Sequence, residues 1–143
     1  MGLRTMKYNK LIPEISVSDF VQSLNFYTRL LGFKVEYQRE DPDFAFLSLE
    51  GAQVMIEHES GYRVDSVLEH PYGRGVSHQI EVADIAPLIK RLQRDSYPIA
   101  WMPEEVWYKT DRHLHGQLQF WVMDPDGHLL RFYQDLGTKQ ITE

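Results

Sequence analysis

The chain carries the same short motif twice, and the two copies lie 65 residues apart. Val17-Ser18-Asp19 and Val82-Ala83-Asp84 each follow an apolar segment and each end on an aspartate, a residue that commonly caps a helix. The last predicted strand of each half also follows a glycine, at Gly51 and at Gly127. Because 143 residues are too few for two large independent domains, the repeat predicts two similar modules that share one core.

The first copy of the module is typical of one strand, one helix and three further strands. Residues 11 to 17 place Ile15 and Val17 on one face and polar residues on the other, as in a half-buried strand. A helix should begin after Asp19 and end at Gly32. Three strands are then expected near 33 to 39, 43 to 49 and 53 to 58.

The second copy repeats this order after a segment rich in Gly, His, Pro and charge. Val76 to Val82 predicts a strand, and Asp84 is the expected cap of a helix with an apolar stripe. Three more strands should follow, near 98 to 108, 116 to 123 and 128 to 134. We therefore divide a single domain, 1 to 143, into modules at about 8 to 60 and 75 to 136, with a linker at about 61 to 74.

Composition limits the class of protein and its partners. Fifteen Lys and Arg against 21 Asp and Glu give a net charge of -6, which disfavours nucleic-acid phosphates, and no basic run is present. The lack of cysteine excludes disulfides, thiolate zinc sites and a cysteine nucleophile. No segment has the apolar length of a signal peptide or a membrane span, so we expect a cytoplasmic protein with a small-molecule ligand and no nucleic-acid or membrane partner.

Several segments, taken in order, resemble the glyoxalase, bleomycin-resistance protein and extradiol dioxygenase superfamily, also called the vicinal oxygen chelate superfamily. The segments that carry the resemblance are Pro13 to Asp19, Ser23 to Tyr27, Leu31 to Phe33, Gln79 to Asp84, Asp124 to Gly127 and Leu129 to Phe132. The resemblance implies an α+β fold of two tandem βαβββ modules, whose open U-shaped mixed sheets surround a pocket. It also implies a homodimer.

Members of this superfamily that use a metal resemble one another in taking His, Glu or Gln ligands from the first and last strands of each module. The matching positions in this chain are Ile12, Met55, Ser77 and Arg131. These residues do not form a ligand set for a divalent ion, because an aliphatic side chain has no donor and a guanidinium repels the cation. The chain thus resembles the metal-free bleomycin-resistance branch more closely, and we expect neither a metal nor another cofactor.

Polar residues on the face of the first strand that turns away from the helix are the first candidates for the pocket. In the two modules they are Glu14, Ser16, Gln79 and Glu81, and Glu57 and Tyr133 extend the same surface. A carboxylate on this face can hold a cationic ligand, or it can be solvated or paired with an arginine.

Arg131 and Trp107 complete the candidate site. Arg131 is expected to face the pocket, either as the anchor of a ligand carboxylate or in an internal ion pair with Glu14. Trp107 is expected at the rim of the pocket, because its segment combines charged and aromatic residues where the resemblance implies that rim. For the other aromatic residues of this region, Trp101, Tyr108 and Trp121, packing is the expected role.

Three histidines are alternative candidates. By its parity His78 faces the helix, and it would reach the pocket only if its strand slipped by one residue. His113 and His115 would bind zinc together if both lay on one face of a strand, but no third ligand is evident. A polar loop is the expected structure for this pair.

These residues leave three functions open. The first is a binding protein that sequesters a small, partly aromatic and cationic molecule, as the bleomycin-resistance branch does. The alternative is a metal-dependent enzyme of the superfamily, a lyase, dioxygenase or thiol transferase, with ligands from His78, Glu57, His113 or His115. The third is an enzyme without a cofactor that uses a Glu as base and Arg131 as an anion clamp.

Overall fold

The structure is a computed structural model, and it describes residues 6 to 141. The first five residues, which belong to the segment where we expect no signal peptide, and the last two lie outside the described part. Among residues 6 to 141, no helix has the length and apolar character needed to cross a lipid bilayer.

The first module has the predicted order of elements. Its helix α1, Phe20–Asn25, continues into a π-helical turn, Phe26–Leu30, that ends before Gly32. The four strands form one mixed sheet in the order β1-β4-β3-β2, with β1 parallel to β4. These strands are β1 (Glu14–Val17), β2 (Lys34–Arg39), β3 (Phe44–Leu49) and β4 (Ala52–His58).

The second module repeats this topology around helix α2, Ala86–Arg94. Its strands have the order β5-β8-β7-β6, and β5 is parallel to β8. Glu14 of β1 lies opposite Met55, and Gln79 of β5, 65 residues later, lies opposite Arg131. The prediction of a two-module α+β fold is therefore confirmed. The strands are β5 (Ser77–Glu81), β6 (Trp101–Thr110), β7 (His113–Met123) and β8 (Leu129–Gln140).

The two helices begin differently, although both follow the repeated motif. Asp19 caps α1 as predicted, with its Oδ1 accepting a hydrogen bond from the Gln22 N–H at 3.1 Å. At the matching place in α2 stands Pro87, which has no N–H to donate. Asp84 instead accepts from the Ala86 N–H at 2.9 Å, and the helix starts one residue later than its sequence predicts.

Several strand boundaries also differ from the prediction. Strand β1 begins at Glu14 rather than at residue 11, because Pro13 can accept a ladder hydrogen bond from Met55 but cannot donate one. Strands β7 and β8 are longer than expected. The prediction of a polar loop at His113 and His115 was wrong, since both residues belong to β7.

A single hydrophobic core joins the two modules. The buried core includes Val17 and Phe26 of the first module together with Leu92 and Phe132 of the second. The helices contact each other between the sheets, and Arg91 of α2 donates from Nε to the Leu30 carbonyl oxygen at 2.7 Å. Each sheet therefore has one face in the core and one face turned away from it.

The turn between β7 and β8 ties the modules together. Buried Asp124 accepts hydrogen bonds from the Tyr27 Oη at 2.9 Å and from two backbone N–H groups of its own turn. Asp126 accepts from the Ser18 backbone N–H at 2.9 Å, and His128 Nε2 lies 2.8 Å from a carbonyl oxygen of β1. This turn fixes the second sheet against the first strand and helix of the chain.

Candidate functional site

The second sheet presents a polar and aromatic surface on its side away from the core. Successive side chains of a strand point to opposite faces of the sheet. Ile80, Leu130 and Phe132 point into the core, and their neighbours along the strands therefore form this surface. We call it the second open face. Its residues are Gln79 and Glu81 of β5, Arg131 and Tyr133 of β8, Gln117, Gln119 and Trp121 of β7, and Trp101, Glu104 and Tyr108 of β6.

Strand pairing sorts these side chains into rows across the sheet. Arg131 lies between Gln79 on one neighbouring strand and Trp121 on the other, and Trp101 continues the row on β6. The next row holds Glu81, Tyr133, Gln119 and Glu104. Aromatic rings and a guanidinium thus share one row, while carboxylates stand at both ends of the next.

Two side-chain contacts on this face each pass over an intervening strand. Gln79 donates from Nε2 to the Gln117 Oε1 at 2.8 Å, from β5 to β7. Arg131 Nη2 lies 3.4 Å from the Tyr108 Oη, from β8 to β6, and Tyr108 in turn donates to the Gln119 Oε1 at 3.2 Å. These contacts form two groups, one that joins β5 to β7 and one that joins β8, β6 and β7.

The Arg131 guanidinium stacks on an aromatic ring but has no carboxylate partner in the described chain. Its Cζ lies 4.7 Å from the centre of the Trp121 ring, a cation–π arrangement. Its Nε is buried and has no hydrogen-bond partner in the described chain, and the same is true of Trp121 Nε1. The expected alternative, an ion pair with Glu14, does not form between the described residues.

Two carboxylates of the second open face, those of Glu81 and Glu104, accept hydrogen bonds from uncharged side chains. Glu81 accepts a hydrogen bond from the Tyr133 Oη at 3.1 Å, and burial together with this contact raises the pKa of Tyr133. Glu104 accepts from the Trp101 Nε1 at 2.7 Å. Among residues 6 to 141, neither carboxylate has a cationic partner within 4.0 Å.

The remaining acidic candidates lie on the other sheet. Glu14, Ser16 and Glu57 belong to β1 and β4, and no hydrogen bond or ion pair joins them to Arg131 in the described chain. Glu14 and Ser16 border a small cavity under the linker, beside Tyr72. The structure therefore brings together Gln79, Arg131 and Tyr133 but places Glu14, Ser16 and Glu57 on a separate surface.

Trp107 lies on the opposite face of β6 from Tyr108 and Trp101. It pairs with Gly116, and a Cβ atom at Gly116 would lie only 2.6 Å from the Trp107 ring. Lys139 Nζ stands 4.0 Å from the centre of the same ring. Trp107 thus packs where β6, β7 and β8 continue past the end of β5, a part that we call the β6–β7–β8 extension, away from the Arg131 row.

Sequence reasoning missed the residues that build the centre of this face. The candidates from the sequence do not include Gln117 and Gln119, and the role expected of Trp121 is packing. The signal was the period of two along β7, where Gln117, Gln119 and Trp121 alternate with core residues. The predicted strand near 116 to 123 already contains all three residues, so the pattern was present in the sequence.

The residues at the superfamily's metal positions do not fit a divalent cation here. Met55 lies in the first sheet and Arg131 in the second, and neither side chain offers an oxygen or nitrogen ligand for a cation. His78 points to the core side, and burial and His128 lower its pKa. His115 Nε2 lies 3.0 Å from Asp135 Oδ1. Residues 6 to 141 contain no group of three or more His, Cys, Asp or Glu that is arranged to hold a metal.

Comparison with known families gives one match that spans most of the chain. Residues 11 to 132 match the family model described as Glyoxalase/Bleomycin resistance protein/Dioxygenase superfamily. A search of curated proteins gives no match.

Solved structures of the same class resemble the chain over nearly its whole length. A superfamily member from Vibrio splendidus 12B01 is 38% identical, and the match covers 87% of this chain and 97% of that one, with a TM-score of 0.40. TioX from Micromonospora sp. ML1 is 20% identical over 90% of this chain and 100% of its own, with a TM-score of 0.69. A superfamily member from Sphaerobacter thermophilus DSM 20745 is 23% identical over 88% of this chain and 98% of its own, with a TM-score of 0.62.

Proposed function

Because the chain belongs to the glyoxalase/bleomycin resistance protein/dioxygenase superfamily, we propose that it is a binding protein that sequesters a small, partly aromatic and cationic molecule. Sequestration of this kind is the route to antibiotic resistance that the bleomycin-resistance branch suggests. The ligand lies on the second open face, and binding requires no metal.

One observation carries this proposal: aromatic rings stand beside carboxylates that lack a cationic partner in the described chain. Trp101 and Trp121 have ring centres 5.7 Å apart, and Trp101 is 51% exposed. A flat ligand gains apolar contact with such rings, while Glu104 and Glu81 in the next row attract its positive charge. The net charge of -6 favours the approach of the same class of ligand.

Calorimetric titration with metal-free bleomycin tests the proposal, with 1-naphthylmethylamine as a smaller probe of the same chemistry. We expect a dissociation constant in the micromolar range for bleomycin, which corresponds to about -8 kcal/mol. Replacing Trp121 by Ala should weaken binding at least tenfold, because the ring forms the floor of the face. No heat with either probe at two temperatures would contradict the proposal.

Trp107→Ala is the matched control for Trp121→Ala. Both variants lose one indole of the same sheet, but Trp107 lies on the opposite face. We expect Trp107→Ala to leave the affinity unchanged within a factor of two. Equal losses in the two variants would show that the effect comes from the stability of the sheet and not from ligand contact.

We also propose that the protein forms a homodimer, as the superfamily resemblance implies. The first open face, which includes Glu14, Ser16 and Glu57, belongs to a different sheet from the second, and no strand pairs between the two sheets in the described chain. A role for these three residues in binding the ligand of the second open face therefore requires a second copy. Analytical ultracentrifugation should give twice the mass of 16.9 kDa, and a species of 16.9 kDa alone would contradict the dimer.

A further inference from the structure

We propose that Arg131 and Trp121 form an anion subsite, and that the ligand carries a carboxylate in addition to its cationic group. This inference rests on the proposed binding function and narrows the ligand to a flat molecule with both charges. The carboxylate binds at the Arg131 guanidinium, in the row between Gln79 and Trp121.

The charge of Arg131 is the first reason for this assignment. A guanidinium has five N–H donors, and in the described chain Arg131 makes one hydrogen bond, a long one of 3.4 Å to the Tyr108 Oη. No described Asp or Glu oxygen lies within 4.0 Å of it, and its Nε is buried without an acceptor. A partly buried charge without a counter-ion is unfavourable, so an anion from outside the chain would stabilise this arrangement.

The shape of the site is the second reason. The Trp121 ring lies under the guanidinium, and Tyr108 contacts its Nη2, so the plane of the charged group is fixed before a ligand arrives. A carboxylate is flat and accepts two parallel hydrogen bonds from such a fork. The Arg131 side chain is partly exposed, which leaves it open to a ligand from the face itself.

The neighbouring charges select a carboxylate over a phosphate. Arg131 is the one Arg or Lys among the residues that define the second open face, and the carboxylates on the same side of the sheet are Glu81, Glu104 and Asp135, which pairs with Gln117. Carboxylates around a single guanidinium repel a dianion more strongly than a monoanion. They also provide the place for the cationic group of the same ligand.

Arg39 shows what distinguishes Arg131 from an ordinary stacked arginine. Its Cζ lies 3.8 Å from the centre of the Phe44 ring, so it also rests on an aromatic side chain. Arg39 is exposed at the edge of the first sheet, however, and solvent compensates its charge. It is therefore the matched control for Arg131.

The test compares three probes with the same ring: 1-naphthoate, 1-naphthamide and 1-naphthyl phosphate, each titrated by calorimetry. We expect naphthoate to bind at least tenfold more tightly than naphthamide, and more tightly than the phosphate. Arg131→Gln should abolish the preference for naphthoate, whereas Arg39→Gln should retain it. Arg131→Lys keeps the charge but loses the fork, so it should retain only part of the preference.

Two results would overturn the anion subsite. The first is that naphthoate binds no more tightly than naphthamide, which includes the case in which neither binds. The second is that Arg131→Gln prefers naphthoate over naphthamide as strongly as the parent protein does. Tighter binding of the phosphate would overturn the choice of carboxylate. A protein that binds 1-naphthylmethylamine but shows no preference for naphthoate refutes the subsite alone and leaves the proposed function standing. Thermal unfolding of Arg131→Gln confirms that the variant is folded before affinities are compared.

Discussion

Tyr27 links the helical segment of the first module to the second sheet through one buried hydrogen bond. Its Oη donates to Asp124 at 2.9 Å, and both side chains are buried. Burial and the nearby Asp124 charge raise the pKa of Tyr27, and burial likewise raises the pKa of Asp124. Polar groups of this kind stabilise a fold only while their partners are present.

Replacing Tyr27 by Phe should lower the free energy of unfolding by about 2 kcal/mol, because Asp124 loses a donor that it cannot replace with water. Urea unfolding followed by circular dichroism measures this loss. Tyr62→Phe is the control, since Tyr62 is exposed, and it should change the free energy by less than about 0.5 kcal/mol. Similar stabilities for the two variants would show that the buried contact contributes little.

His78 makes the stability depend on pH. Burial, with a smaller effect of His128, lowers the pKa of His78 below its usual 6.5. The unfolded chain therefore binds a proton at a higher pH than the folded chain does, and stability falls as the pH drops from 6.5 through the folded pKa. Replacing His78 by Gln should reduce the loss of stability between pH 7.5 and 5, while replacing exposed His113 should not. Identical pH profiles for His78→Gln and the parent protein would contradict this reasoning.

At the scale of single elements, the far part of the β6–β7–β8 extension depends on a close contact between one ring and one glycine. The Trp107 ring occupies the space that a side chain at Gly116 would need. Gly116→Ala should therefore destabilise the protein by about 1–3 kcal/mol through overpacking. In a Trp107→Ala background the same change should cost little, because the ring is gone. Additive effects in this double-mutant cycle would rule out the contact as the cause.

Much of the element order was predictable, and the exceptions have local causes. The period of two placed Gln79, Arg131 and Tyr133 on one face, because β5 and β8 are regular. Plain alternation along β6 would put Trp107 on the same face as Trp101, but the pairing of β6 shifts between Trp101 and Glu104 and reverses the parity of every later residue. The position of such a bulge is difficult to predict from a single sequence.

The separation of the acidic candidates was not predictable from the repeat. The offset of 65 residues correctly matched Glu14 to Gln79, and each lies on the first strand of its module, paired with the last strand. Equivalent positions in two modules need not be close, however. The two sheets are separate and share one core, and the tertiary contacts that join the modules, such as Arg91 to Leu30, are not visible in the repeat.

At the scale of the whole molecule, the two sheets bury one face each and leave one face each for function. On the first open face, aromatic residues pack on one another, since Tyr8 and Tyr37 both contact the Phe46 ring. The second leaves Trp101 exposed and Arg131 without a counter-ion in the described chain. This difference makes the second open face the better ligand surface.

The most direct test of this central claim follows the indole N–H signals of the three tryptophans by NMR during titration with 1-naphthylmethylamine. Trp101 and Trp121 lie on the second open face, and Trp107 lies on the opposite side of the same sheet. We expect saturable shifts of the Trp101 and Trp121 signals and none of the Trp107 signal. A shift of Trp107 alone, or no shift of any of the three at saturating probe, would contradict the assignment of the binding surface.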